Sequence, residues 1–147
     1  MGAECVVLAV LLWIVYCAES ALFHSVRQPI TAPLGVKFRE AVGFLGAGIY
    51  EELLFRMLGL SLVIWLFRGI GLSPVRGMVS AALLTSLAFA IAHYIGTYGD
   101  EFYWSSFAFR FTAGVFFSVL FMYRGFGVVA GAHAAYNILV GLVLASF

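Results

Sequence analysis

Glu51 and Glu52 stand side by side inside a run, Ala41 to Phe67, whose only other charge is Arg56, one helical turn beyond Glu52. A carboxylate at the centre of a bilayer costs about 2.5–3.5 kcal/mol on the mildest insertion scale, so such a cluster needs partners or a purpose. Two further apolar runs carry polar groups: His93 lies near the end of one, and His133 and Asn137 lie in the middle of another. Residues four apart on a helix differ by about 40° in direction, so His133 and Asn137 share a face, as do Phe89 and His93. Glu51 points about 100° away from Glu52 and has no partner one turn along.

Hydrolysis by a serine or cysteine nucleophile needs that group beside a base. Both cysteines, Cys5 and Cys17, fall on the outlying first run, and Asp100, the single aspartate, precludes an aspartyl dyad. A carboxylate and imidazoles acting on water remain, with or without a metal. In that reading Glu51 takes a proton from a water held also by His93, while His133 and Asn137 donate hydrogen bonds to the oxyanion of a tetrahedral intermediate. Plainer roles exist for each residue taken alone. Glu52 and Arg56 can neutralise one another, a buried histidine can be a hydrogen-bonded core group, and Asn137 can join helices. Arg110, near one end of its run, can snorkel or meet a carboxylate, and stays outside the candidate site. The set favours function more strongly than any member does.

The elements that must hold these groups follow from composition. The chain has 147 residues, of which 64% are hydrophobic and 10% charged, with a mean hydropathy of +1.07. Ordinary globular domains are about 45–50% apolar and about 25% charged, so an integral, multi-pass membrane protein is expected. The fold class read from the pattern is all-α: a polytopic helical bundle of about five spans around a buried polar site. The spans are Cys5 to Ala18, Ala41 to Phe67, Val75 to Ile95, Ser105 to Tyr123 and Phe126 to Phe147. Residues 1–39 read as an N-terminal span with a polar connector, and residues 40–147 as the core.

Pro29, Pro33 and Gly35 mark the connector from Glu19 to Glu40, and Ser73-Pro74 separates the second span from the third. The break from Gly96 to Trp104, with Tyr98, Asp100, Glu101 and Tyr103, has the polar and aromatic mixture of a membrane interface. Arg124-Gly125 leaves so short a turn that the last two spans must be antiparallel neighbours. Arg68, Arg76 and Arg124 fall on one side and Arg27, Lys37 and Arg39 on the other, so charge bias sets no orientation. Gly127, Gly131 and Ala135 form a small-residue ridge for close helix packing, about 120–160° around from His133. A net charge of +1 with scattered basic residues offers nucleic acid no surface. Cys5 and Cys17 lie roughly 18 Å apart along one helix, beyond disulfide reach, and are expected to pack or face lipid. The first run lacks the basic start of a secretory signal and reads as a retained span.

Glu51-Glu52 with Arg56 resembles the EExxxR motif, Phe89 to His93 the FxxxH motif, and His133 to Asn137 the HxxxN motif of the CPBP intramembrane proteases, the CAAX-protease and bacteriocin-processing group. The three occur in family order, each in an apolar helix, and the resemblance covers about Glu40 to Leu144. It implies an intramembrane endopeptidase with Glu51 and His93 as the water-activating pair, His133 and Asn137 as oxyanion stabilisers, and Glu52, Arg56 and Phe89 in support. It implies a membrane-associated peptide or protein substrate, CAAX-processing-like or bacteriocin-processing and immunity-like. Relatives commonly have more spans, so self-association or a helper subunit is a further expectation.

No cofactor is required in the favoured reading. Were Zn²⁺ bound, Glu51, His93 and His133 would supply its ligands with one position open. Two readings from other classes compete: a proton-coupled transporter, since Glu and His also build proton relays, and a catalytically silent membrane scaffold or immunity protein.

Overall fold

The computed structural model describes residues 2–23, 34–97 and 99–143. Pro29, Pro33 and Arg27 of the expected connector, the interfacial Tyr98 and the end of the last span from Leu144 lie outside the described residues. The described residues build α1 (Gly2–Phe23), α2 (Leu34–Glu52), a π-helical segment (Leu53–Leu60), α3 (Ser61–Gly69), α4 (Pro74–Ala92), α5 (Trp104–Arg124), α6 (Phe126–Ile138) and a second π-helical segment (Leu139–Val143), with no strand among them. Glu52, Leu60 and Ser61 all keep right-handed helical dihedrals, so α2, the first π segment and α3 form one continuous rod.

Among the described residues three stretches are long and apolar enough to cross a membrane: Gly2–Glu19, Pro74–Ala92 and Trp104–Arg124; Phe126–Gly141 is a shorter apolar helix. Two boundaries differ most from expectation. The first helix runs past Ala18 to Phe23, and the second begins at Leu34 rather than Ala41, which shortens the connector from both ends. Charge misled there: Glu, Lys and Arg are good helix formers, and a helix can leave the hydrocarbon without unwinding.

Local chemistry accounts for the turns. Pro74 occupies the first turn of α4, where its missing N–H costs nothing. Gly125, at φ +77°, stops α5 in a backbone conformation that side-chain-bearing residues avoid and lets α6 start at the next residue. That makes α5 and α6 the antiparallel pair expected from the short turn, and Arg124 beside the turn pairs with Glu4 of α1 at 2.7 Å.

Packing among the described residues divides into two cores. Ala9 and Leu12 of α1 meet Ala113 and Phe117 of α5 and Val129 and Ala132 of α6, while Leu60 packs with Ala81 and Ala82 of α4. Outward apolar side chains such as Val6, Leu62, Trp65 and Val79 stay exposed, as a bilayer rather than water requires. Cys5 is buried and its thiol donates to the Val128 carbonyl; Cys17 is half-buried, and neither forms a disulfide.

Small residues bring the helices close, though not all where the ridge on α6 suggested. A Cβ on Gly131 would meet Cys5 Sγ at 2.8 Å, so this position does pack on α1. Gly127 is exposed, and with Gly131 and Ala135 it borders an apolar groove shared with Leu45 and Ile49 of α2. Among the α2 glycines at positions 43, 46 and 48, Gly48 is the one that abuts α6, where a Cβ would lie 3.0 Å from the Ala134 backbone nitrogen. Gly114 serves α5 and α4 likewise, since a Cβ there would lie only 2.8 Å from Ser86 Cβ. On the rod, Gly48, Glu52, Arg56 and Leu60 are all buried at four-residue spacing.

Candidate active site

Gly48 lets α2 lie against α6 one turn before the glutamate pair, and this contact carries Glu51 and Glu52 to His133. Glu52 is fully buried, and its Oε1 accepts a hydrogen bond from His133 Nδ1 at 2.7 Å. The same oxygen lies 3.3 Å from Arg56 Nη1, the i,i+4 ion pair anticipated from the sequence. Arg56, 1% exposed, donates from Nη2 to the Gly114 carbonyl of α5 at 3.2 Å. Its guanidinium lies over the rings of Phe89 and Phe117, at 4.4 and 5.5 Å from their centres. Burial of a charged pair is tolerable only when each member keeps such partners, and here a carbonyl and two aromatic faces supplement the carboxylate.

His93 stands at the end of α4. Its Nδ1 is 2.8 Å from the Phe89 carbonyl, an acceptor, so Nδ1 carries the proton. Glu52, also an acceptor, fixes the proton of neutral His133 on Nδ1 by the same argument. Both neutral rings therefore present a bare Nε2, and both turn it towards one oxygen: Glu51 Oε2 lies 3.9 Å from His93 Nε2 and 3.6 Å from His133 Nε2. Glu51 and His93 are about three-quarters buried, and His133 more deeply so. A carboxylate oxygen and two ring lone pairs are all acceptors, so their meeting calls for a proton donor between them.

The rings are held by aromatic neighbours. Phe117 stacks on His133 with centroids 4.5 Å apart and planes 20° from parallel, while Phe89 meets His93 edge-on at 4.7 Å. Phe55 also meets Phe89 edge-on at 5.4 Å. Asn137, one turn beyond His133 on the same face, donates from Nδ2 to the Phe44 carbonyl of α2 at 3.4 Å. An amide nitrogen has two hydrogens, so this long bond leaves one to use.

The site residues read from the sequence thus fall into a connected group. Glu51, His93 and His133 converge directly, Glu52, Arg56 and Phe89 surround them, and Asn137 stands on the α6 face that meets α2. Sequence reasoning passed over Phe117, Gly114 and Gly48. A phenylalanine among fifteen gives no signal, but Gly114 and Ser118 one turn apart on α5, opposite Ser86 on α4, form a small-residue pattern that marks a helix contact. Arg110 meets a carboxylate, Asp100, the second of the two roles open to it. Among the described residues no group of three or more His, Cys, Asp or Glu side chains has the arrangement to hold a metal ion.

A model of the family described as type II CAAX prenyl endopeptidase Rce1-like matches residues 4–139. Comparison with curated proteins and with solved structures gives no match.

Proposed function

Since the chain belongs to the Rce1-like type II CAAX prenyl endopeptidase family, we propose that it hydrolyses a peptide bond near the carboxyl end of a membrane-associated, CAAX-type polypeptide, using water activated by Glu51 and His93. The observation that carries this reading is the approach of Glu51 Oε2 to the Nε2 atoms of both histidines, at 3.9 and 3.6 Å. One water can hydrogen-bond to groups separated in this way, donating to Glu51 and to His93.

Attack on the scissile carbonyl transfers the water proton to Glu51 as the new C–O bond forms, and negative charge gathers on the carbonyl oxygen. Asn137 donates its free N–H to that oxygen. His133 donates to the same oxygen from Nε2 after taking up a proton there from solvent, with its opposite nitrogen still hydrogen-bonded to Glu52; it keeps that proton through the cycle. Arg56 balances Glu52 in the resting site. Collapse of the intermediate breaks the C–N bond, and the proton on Glu51 passes to the leaving amine.

No step in this scheme uses a bound metal. The bilayer brings substrate to the site, and the semi-buried position of Glu51 and His93 limits competing water. Glu51→Gln tests the reading directly. In reconstituted vesicles it should abolish cleavage of a prenylated membrane peptide while leaving helicity and thermal unfolding unchanged; cleavage at the unaltered rate would reject Glu51 as the base.

A further inference from the structure

His93 sits just beyond the last residue of α4, so no following turn of helix clamps its backbone. In a continuing helix its carbonyl would accept the N–H of residue 97. Here it accepts the backbone N–H of Asp100 instead, at 2.9 Å. The chain makes that return by a turn at Gly96, φ +99°, and by packing Gly99 so tightly on the Tyr94 peptide that a Cβ would lie 2.8 Å from its carbonyl oxygen. The Asp100 carboxylate then pairs with Arg110 from α5, and the Arg110 guanidinium lies over the Tyr94 ring, 4.9 Å from its centre. Phe102 also packs on Tyr94, with ring centroids 5.1 Å apart.

We propose that Arg110 is a positioning residue for His93: through Asp100 and Tyr94 it ties the loop after α4 to α5 and so fixes where the imidazole meets Glu51. This rests on the peptidase reading above. An exposed ion pair contributes little to stability. Arg110, however, is only 19% exposed and also covers an aromatic face, and its partner's main chain holds the residue that carries the chemistry. A displacement of ~1 Å at a reacting group can cost up to ~100-fold in rate.

The test compares wild type, Arg110→Ala, Arg110→Lys, Asp100→Ala and the double alanine variant in the vesicle cleavage assay, with amide hydrogen exchange measured on the same samples. Arg110→Ala and Asp100→Ala should each lower kcat about tenfold or more with KM unchanged. The double variant should be no slower than either single one, because both break one clasp. Arg110→Lys should recover part of the rate. Exchange at the Asp100 amide should quicken in Arg110→Ala while amides in the middle of α5 keep their protection.

A wild-type kcat in Arg110→Ala, a loss confined to KM, or unchanged exchange at Asp100 would each overturn the proposal while leaving the peptidase reading intact. Failure of wild type to cleave any membrane peptide would instead refute the peptidase reading, and the exchange measurement would still decide whether the clasp exists.

Discussion

Arg56→Met removes a charge from the least accessible part of the molecule while keeping a long apolar stem between Phe89 and Phe117. Arg56 and Glu52 are 1% and 0% exposed, so solvent screens neither. Removing one partner of a buried pair costs about 3–5 kcal/mol, chiefly because the survivor is left uncompensated. Here the survivor is Glu52, which keeps only the His133 Nδ1–H. Loss of the Gly114 contact adds little, since the Ser118 hydroxyl still donates to that carbonyl at 2.9 Å. The stability of Arg56→Met should therefore fall by about 3 kcal/mol or more.

Adding Glu52→Gln removes the stranded charge, so the double variant should be more stable than Arg56→Met alone, the sign expected of coupled sites. The double variant should be inactive, because a neutral glutamine sets no negative charge against His133 Nδ1. Reversible unfolding in detergent gives the stabilities and the vesicle assay gives the rates. Equal stability of Arg56→Met and wild type, or a double variant weaker than both singles, would refute the assignment of Arg56 as the counter-charge of Glu52.

Asn137→Ala should lower kcat by about 10²–10³-fold with little change in KM, the effect of deleting one oxyanion donor, and steady-state kinetics on the vesicle substrate will show it. Gly48→Ala should push α2 away from α6, because the new Cβ would lie 3.0 Å from the Ala134 nitrogen. A loss of about 1–3 kcal/mol is expected together with slower cleavage, whereas full activity would show that the Glu52–His133 contact tolerates a wider spacing. Exhaustive chelation should leave activity in place; a loss restored by Zn²⁺ would replace the metal-free scheme with one using Glu51, His93 and His133 as ligands.

Much of the fold is legible because a bilayer permits so few solutions: a helix must spend about twenty apolar residues to cross, and each crossing is visible as a run. The candidate site is legible for the converse reason. Glu51, Glu52, His93, His133 and Asn137 stand out against apolar surroundings, and four-residue spacing places Arg56 and Phe89 beside them. What the sequence withholds is set by shape. Phe117 looks like any other phenylalanine until α5 lies beside α6, and Gly48 matters only because Ala134 happens to face it. The helical continuation through Leu34 is obscured by Lys37 and Arg39, whose charge suggests a loop although their helix propensity is high. Arg110 keeps two open roles in the sequence, snorkelling or meeting a carboxylate, because its partner Asp100 lies ten residues earlier in a loop whose path turns at Gly96.

The widened turns from Leu53 to Leu60 bear on the order Gly48, Glu52, Arg56, Leu60. In an unbroken α-helix, residues at this spacing drift about 40° per step, so the last would point roughly 120° away from the first. A turn longer than four residues drifts the opposite way and cancels the rotation. The stretch thus acts as a phase corrector, aligning a point of close approach, an acid, its counter-ion and a packing leucine along one straight spine. Shortening that stretch by one residue would retain every side chain named here yet break their alignment, so the candidate site is encoded in the count of residues as firmly as in their kinds.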